Sequence, residues 1–278
     1  MSNNLKHILF ATDGSEFSAG AQRVAIDLAK SCEARLTVMT IVLSTQDLEG
    51  VGTHGLRAQM EREAQARIDA VVAAAAAVGV SCDTQLVYGE EPHQEIVNTA
   101  QELKPDLVVL GRRGKRGLAR LMVGHATAHV AGHAPCNVLM VPRAGQVWTQ
   151  RIVLATDGSA HSAAAAETAR AVASQCQVPV TVVSATTRSH SAERKAEAQS
   201  AVDKVTAALK ASGVACEGVV VEGRPDEVVI ETAASSKADL IVVGSHGRTG
   251  LSRLILGSIS ERIMGQAQCP VLVARAAT

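Results

Sequence analysis

The chain has 278 residues, long enough for two domains of roughly 140 that each bury a real core. It is 47 % apolar, largely Ala and Val, with one Trp, one Tyr and two Phe, and its 27 basic residues balance 27 acidic ones. A nucleic-acid partner would call for a basic face and aromatic stacking platforms, and an anionic membrane surface for excess positive charge, so neither is expected.

The N-terminus, MSNNLKHILFATDGS, shows no apolar stretch between a basic start and a small-residue cleavage site. No signal peptide is expected, and the reading is of a cytoplasmic protein. The phrase ILFATDGS at Ile8 to Ser15 returns as IVLATDGS at Ile152 to Ser159. After the second strand of the first copy, Ser44 to Arg57 adds about ten residues that the second copy lacks. This is read as a loop insertion, either a lid or simple length variation, since a longer loop costs little extra closure entropy. The apolar run Ala70 to Val80 is about half a membrane span and reads as the end of a soluble helix.

Farther on, DLVVLGRRGKRGLARLMVGH from Asp106 returns as DLIVVGSHGRTGLSRLILGS from Asp239. Pro92 to Ala144 aligns with Pro225 to Ala277 without a gap. Such self-similarity marks a tandem repeat, here domains 1–143 and 150–278. The short linker Arg143 to Gln150 has no Gly/Ser tract, so the domains are expected to pack together. His125, His129 and His133 recur every four residues on the last predicted helix of the first copy, a spacing that can suit zinc or nickel. No carboxylate or cysteine completes an obvious set nearby in sequence, and pocket-edge polar histidines are the preferred reading; no metal is expected.

In the second copy the predicted strands are Ile152 to Ala155, Val178 to Ala185, Val219 to Val221, Asp239 to Gly244 and Val271 to Ala274. Helical patterns lie near Ala160 to Gln175, Ala192 to Ser212, Pro225 to Ser236 and Gly257 to Ala267. Runs such as LIVVG, apolar on both faces, belong to parallel strands covered on both sides. The expected fold class is α/β: two tandem doubly wound parallel five-stranded sheets, each with its first and fourth strands side by side at the switch point where ligands sit. The six cysteines fall at equivalent places in the two copies, none in a C-x2-C pair, and read as buried free thiols.

Gly244, Gly247, Gly257 and Ser258 stand as G-x2-G-x9-G-S at the end of the LIVV strand. Glycines there allow close backbone approach to a phosphate, and Gly257-Ser258 opens a helix whose free amides and dipole face the same pocket. Each part also has an ordinary structural reading, strand end, turn or helix cap. Their combination at the mouth of a parallel sheet favours phosphate.

With IVLATDGS, GRP, ADLIVVGSHGRTGLSRLILGS and QAQCPVLV, the chain resembles the universal stress protein family over both halves nearly end to end. The resemblance implies a Rossmann-like, adenine nucleotide alpha hydrolase-like fold and ATP, alone or with Mg2+, as the ligand of members carrying the glycine motif. It implies that Ala155, Thr156 and Asp157 border adenine and ribose, that Ala185 forms an adenine wall, and that Gly244, Gly247, Gly257, Ser258, Ile259 and Ser260 hold the phosphates. His246 and Arg248 stand open to two readings, a reach toward the phosphate chain or a solvated loop position.

The first copy keeps Asp13, Gly111, Gly114 and Gly124 but departs at His125, where the family pattern has Ser or Thr. The imidazole either blocks the phosphate seat or, with Arg112, Arg113, Lys115, Arg116 and Arg120, holds phosphate by charge. The chain has no G-x4-G-K-[S/T], kinase-type catalytic loop or G-x-S-x-G elbow, and Ser15 and Ser159 read as helix caps. The functional expectation is a stress-response protein that binds adenine nucleotide and acts by regulation, with slow ATP hydrolysis at most. The alternatives are an interaction module with vestigial pockets and a slow ATPase. In the family the fifth strand pairs across a dimer interface, which implies that Val138 to Val141 and Val271 to Val273 pair within this chain, with a homodimer as a further option.

Overall fold

The computed structural model describes residues 5–44, 54–112, 125–248 and 256–276. The described residues form two compact units, one ending at Gly145 and the next beginning at Gln146. In the first unit the order is β1 (His7–Ala11), α1 (Ala19–Cys32), β2 (Arg35–Leu43), α2 (His54–Ala76), β3 (Cys82–Gly89), α3 (Pro92–Leu103), β4 (Leu107–Gly111), α4 (His125–His133) and β5 (Asn137–Val141). Its strands are parallel in the order β3-β2-β1-β4-β5.

The second unit repeats the plan with β6 (Ile152–Ala155), α5 (Ala160–Cys176), β7 (Val180–Thr186), α6 (Ala192–Ala211), β8 (Cys216–Glu222), α7 (Pro225–Ser235), β9 (Leu240–Gly244), α8 (Ser258–Gln266) and β10 (Val271–Ala274). Here the parallel order is β10-β9-β6-β7-β8. The first and fourth strands of each unit are neighbours: Ile8 sits in register with Leu107, and Ile152 with Leu240. The α/β fold and its parallel sheets are thus those the sequence predicts.

Burial explains the apolar runs. Ile152, Val153 and Leu154 are fully buried, and every position of β9 is buried, so both faces of these strands are covered. β3 and β8, each at the outer end of its unit's strand order, are half-exposed and read weakly in sequence. β7 starts at Val180 rather than Val178: Pro179 has no N–H to pair, and its carbonyl instead accepts from Ile152 N at 3.0 Å. Pro92 and Pro225 open α3 and α7, where a missing amide is harmless.

Three expectations are corrected. Helix α2 begins at His54, so the last residues of the segment read as a loop are helical, while 45–53 lie outside the described residues. Ser159 caps α5 by accepting from Ser162 N at 3.2 Å, but Ser15 does not cap α1. It precedes a short 3-10 turn, Glu16–Ser18, and its hydroxyl donates to Asp13 Oδ1 at 2.6 Å. The cysteines are all free, yet none is fully buried, and Cys176 is exposed. No helix among the described residues is long and apolar enough to cross a membrane.

Candidate functional site

At the ends of β6, β7 and β9 the second unit holds a cavity of about 530 Å³, within the range of small-molecule sites. All twelve residues of this unit singled out in the sequence line it: Ala155, Thr156, Asp157, Ala185, Gly244, His246, Gly247, Arg248, Gly257, Ser258, Ile259 and Ser260. Their convergence follows from the strand order, which puts the end of β6 beside the end of β9.

The glycines answer to different demands. A Cβ on Gly244 would come within 2.8 Å of the His161 backbone, so this glycine lets α5 approach β9 closely. A Cβ on Gly247 would meet Asp157 Oδ2 at 2.9 Å, so this one lets the loop lie over the carboxylate. Gly257 has φ −61°, a conformation open to any residue, and caps α8. A Cβ there would stand 3.3 Å from His246 Cα and Ser245 O, and the Gly257 amide donates to Ser245 O at 2.9 Å. The resemblance assigns all three to the phosphates, and close packing within the protein already calls for glycine at Gly244 and Gly247.

Helix α8 presents its N-terminus to the cavity. Its first helical hydrogen bond runs from Glu261 N to Gly257 O at 2.9 Å, so the amides of Ser258, Ile259 and Ser260 precede the ladder. Ser258 is the first residue of the helix rather than its cap. The Ser260 hydroxyl donates to Gly244 O at 2.8 Å, so its side chain braces β9 and, of its two donors, the amide remains for a ligand. Ile259, 40 % exposed, forms an apolar lip.

Asp157 is held on two sides. Its Oδ1 accepts from Ser159 N at 3.0 Å and its Oδ2 from Arg248 N at 2.9 Å. Burial pushes its carboxyl up, but the hydrogen bonds from Ser159, the Arg248 amide and Ser162 outweigh that and hold it below the ordinary range. The Arg248 guanidinium reaches across to the Asp157 carbonyl and to Glu197 of α6. It therefore braces the wall rather than extending into solvent. His246 is buried, with Nδ1 3.1 Å from Ser245 Oγ and its ring 4.9 Å from that of His161. His246 is thus no solvated loop position, whereas Arg248 is an exposed residue held by these contacts.

The sequence reading missed His190, Arg194, Pro225, Val229, Leu256 and Ile263, which also line the cavity. His190 and Arg194 come from the β7–α6 connection and the first turn of α6, where no motif marks them; Val229, Leu256 and Ile263 are core residues distinguished only by where the fold puts them, and Pro225, of the GRP phrase, opens α7.

In the first unit Asp13 accepts from Ser15 N at 3.0 Å, and a Cβ on Gly111 would meet Phe17 O at 2.7 Å, the same close approach as at Gly244. Over Gly14 lies the Arg67 side chain of α2, and over Gly158 lie the Arg248 guanidinium and Ala201 of α6. Gly114, Gly124, Arg113, Lys115, Arg116 and Arg120 lie outside the described residues, as does the His125 side chain. His129 and His133 stack at 3.8 Å between ring centroids, and His93 of α3 meets His129 edge-on at 4.3 Å. His133 Nδ1 is 2.8 Å from His129 O. Among the described residues no group of three His, Cys, Asp or Glu side chains is arranged to hold a metal.

The parallel sheet repeated in the two units defines an α/β protein built from two copies of one doubly wound domain. The family model "Universal stress protein family" matches residues 4–142 and again 149–275, and the chain belongs to that family in tandem two-domain form. A universal stress protein of Methanocaldococcus jannaschii is 36 % identical over 146 residues, 48 % of this chain and 86 % of that protein. One from Mycobacterium bovis is 32 % identical over 225 residues, 74 % of this chain and 75 % of its own length. A crystal structure of a universal stress protein from Archaeoglobus fulgidus has a TM-score of 0.79, covering 99 % of this chain and 97 % of that one. At 18 % identity this likeness speaks for the fold.

Proposed function

We propose that the second unit binds an adenine nucleotide, ATP in the first place, and that the protein acts in a stress response by regulation rather than by fast turnover. The observation that carries this reading is the convergence of the G-x2-G-x9-G-S residues and the ATDGS segment on one cavity of nucleotide size. Val183 to Ala185 and Ala155 offer a small-residue wall that a flat base can lie against. Asp157, ionised at neutral pH, offers an acceptor for a nucleoside donor. The α8 amides and dipole then take the phosphates.

Asp157 is the one carboxylate among the described lining residues, and both its oxygens already accept amides. A magnesium ion would accordingly be held by phosphate oxygens and water. A carboxyl held below its usual range is also a weak general base near pH 7, which supports binding over rapid hydrolysis. The test is mass analysis of small molecules released on denaturing the freshly purified protein. Adenine nucleotide released from the wild type and absent from Gly257→Val supports the reading; an interaction module with a vestigial pocket releases none.

A further inference from the structure

Asp226, the second residue of α7, is 1 % exposed and lies between two guanidinium groups. Arg224 Nη2 donates to its Oδ2 at 3.0 Å and Arg262 Nη1 to its Oδ1 at 3.3 Å. The other terminal nitrogen of Arg262 donates to Ser258 Oγ at 3.3 Å. A carboxylate this deeply buried is costly without its cations, so Asp226 fixes where Arg262 stands. Arg262, one turn into α8, in turn reaches Ser258, the first residue of that helix.

The chemistry of that last contact is directional. A guanidinium only donates, so it occupies a lone pair of the Ser258 oxygen and leaves the hydroxyl hydrogen to be given elsewhere. Ser258 borders the cavity, and the cation behind it strengthens the hydroxyl as a donor. An anion is the matching ligand.

The first unit holds a different set at the same places. Gapless alignment puts His93 at Asp226, His125 at Ser258 and His129 at Arg262, and the residue capping α3 is Glu91 where Arg224 caps α7. The relay has been exchanged as a group, and its α3 and α4 members meet as imidazole rings. Replacement of the whole group is what a shared role for its members would produce.

We propose that Arg262, anchored by Asp226, is a positioning residue that sets Ser258 as a donor to the phosphate chain and so gives the second unit its preference for nucleotide over nucleoside. This rests on the nucleotide reading above. In the full chain, Arg262→Gln, Ser258→Ala and the double variant are titrated calorimetrically with ATP and with adenosine, and each variant's melting temperature is recorded. Each single change is expected to weaken ATP roughly three- to tenfold and leave adenosine unchanged, and the double variant to lose little more than either single one. Asp226→Asn, which strips a buried charge, is read only beside Arg262→Gln. Unchanged ATP affinity, equal losses for both ligands, or additive losses in the double variant would overturn the relay while leaving nucleotide binding intact. A wild type that binds neither ligand would overturn both.

Discussion

The backbone amide of Arg248 donates to the Asp157 carboxylate at 2.9 Å, fastening the loop that follows β9 to the end of β6. Gly247 makes the contact possible, since its Cβ would stand 2.9 Å from the same oxygen. The Arg248 side chain extends the fastening to Glu197 of α6. One carboxylate thus clamps the glycine loop, and in the proposed site it is also the acceptor for the nucleoside.

Replacing Asp157 with Ala should weaken adenosine, AMP and ATP by a similar factor, on the order of 1–3 kcal/mol for a lost charge-assisted hydrogen bond. The melting temperature should fall too, because the Ser159 and Arg248 amides lose their acceptor. Calorimetry with the three ligands checks this; a loss confined to ATP would place Asp157 in phosphate rather than nucleoside recognition.

The depressed Asp157 carboxyl also fixes the sign of a pH effect. Its folded pKa lies below the unfolded value of 3.8, so its stabilising contribution is complete above that pH and is lost as pH falls through the folded value. Urea unfolding at pH 5 and pH 3 should show a smaller acid loss in Asp157→Asn than in the wild type. An identical loss in both would mean that Asp157 carries none of the acid sensitivity.

Gly257 is needed for space, not for its backbone angles. In Gly257→Val the side chain would press on the Ser245 to Gly247 backbone and crowd the α8 amides, and most of the ATP affinity should go. Gly257→Ala, adding one carbon at 3.3 Å, should cost less. Titration of both variants tests the order, and unchanged affinity in the valine variant would remove Gly257 from the phosphate seat.

In the first unit, His125→Ser restores one member of a set of which His93 and His129 are also part. The single change is therefore expected to leave ATP stoichiometry at its wild-type value. His93→Asp, His125→Ser and His129→Arg together are expected to raise it towards two per chain. Titrations at pH 6 and pH 8 separate this from a charge-held site, which would strengthen below about pH 6.5 as imidazole protonates and weaken with salt. A second site in the single variant would show that imidazole bulk alone closes the pocket.

Much of this architecture is legible in the sequence because it rests on local pattern. The runs IVLA and VLVA are β6 and β10 residue for residue, and Pro225 and Pro92 announce their helices. What the sequence hides is which partner a residue answers to. Gly244 and His161 lie 83 positions apart and meet only because α5 packs on β9. Ser260 looks like a phosphate donor until its hydroxyl is found on the Gly244 carbonyl. Asp226 and Arg262 form a pair across 36 residues that no spacing rule marks. Local pattern finds the elements and the glycine loop, whereas tertiary packing decides which glycine faces a ligand.

Nucleotide binding by the second unit is tested most directly by calorimetric titration of the full chain, freed of small molecules, with ATP and adenosine. Saturable ATP binding that is lost in Gly257→Val but kept in His125→Ser is the expected result. No binding of ATP, ADP, AMP or adenosine by the wild type, or ATP binding that survives Gly257→Val and is lost in His125→Ser, would contradict it.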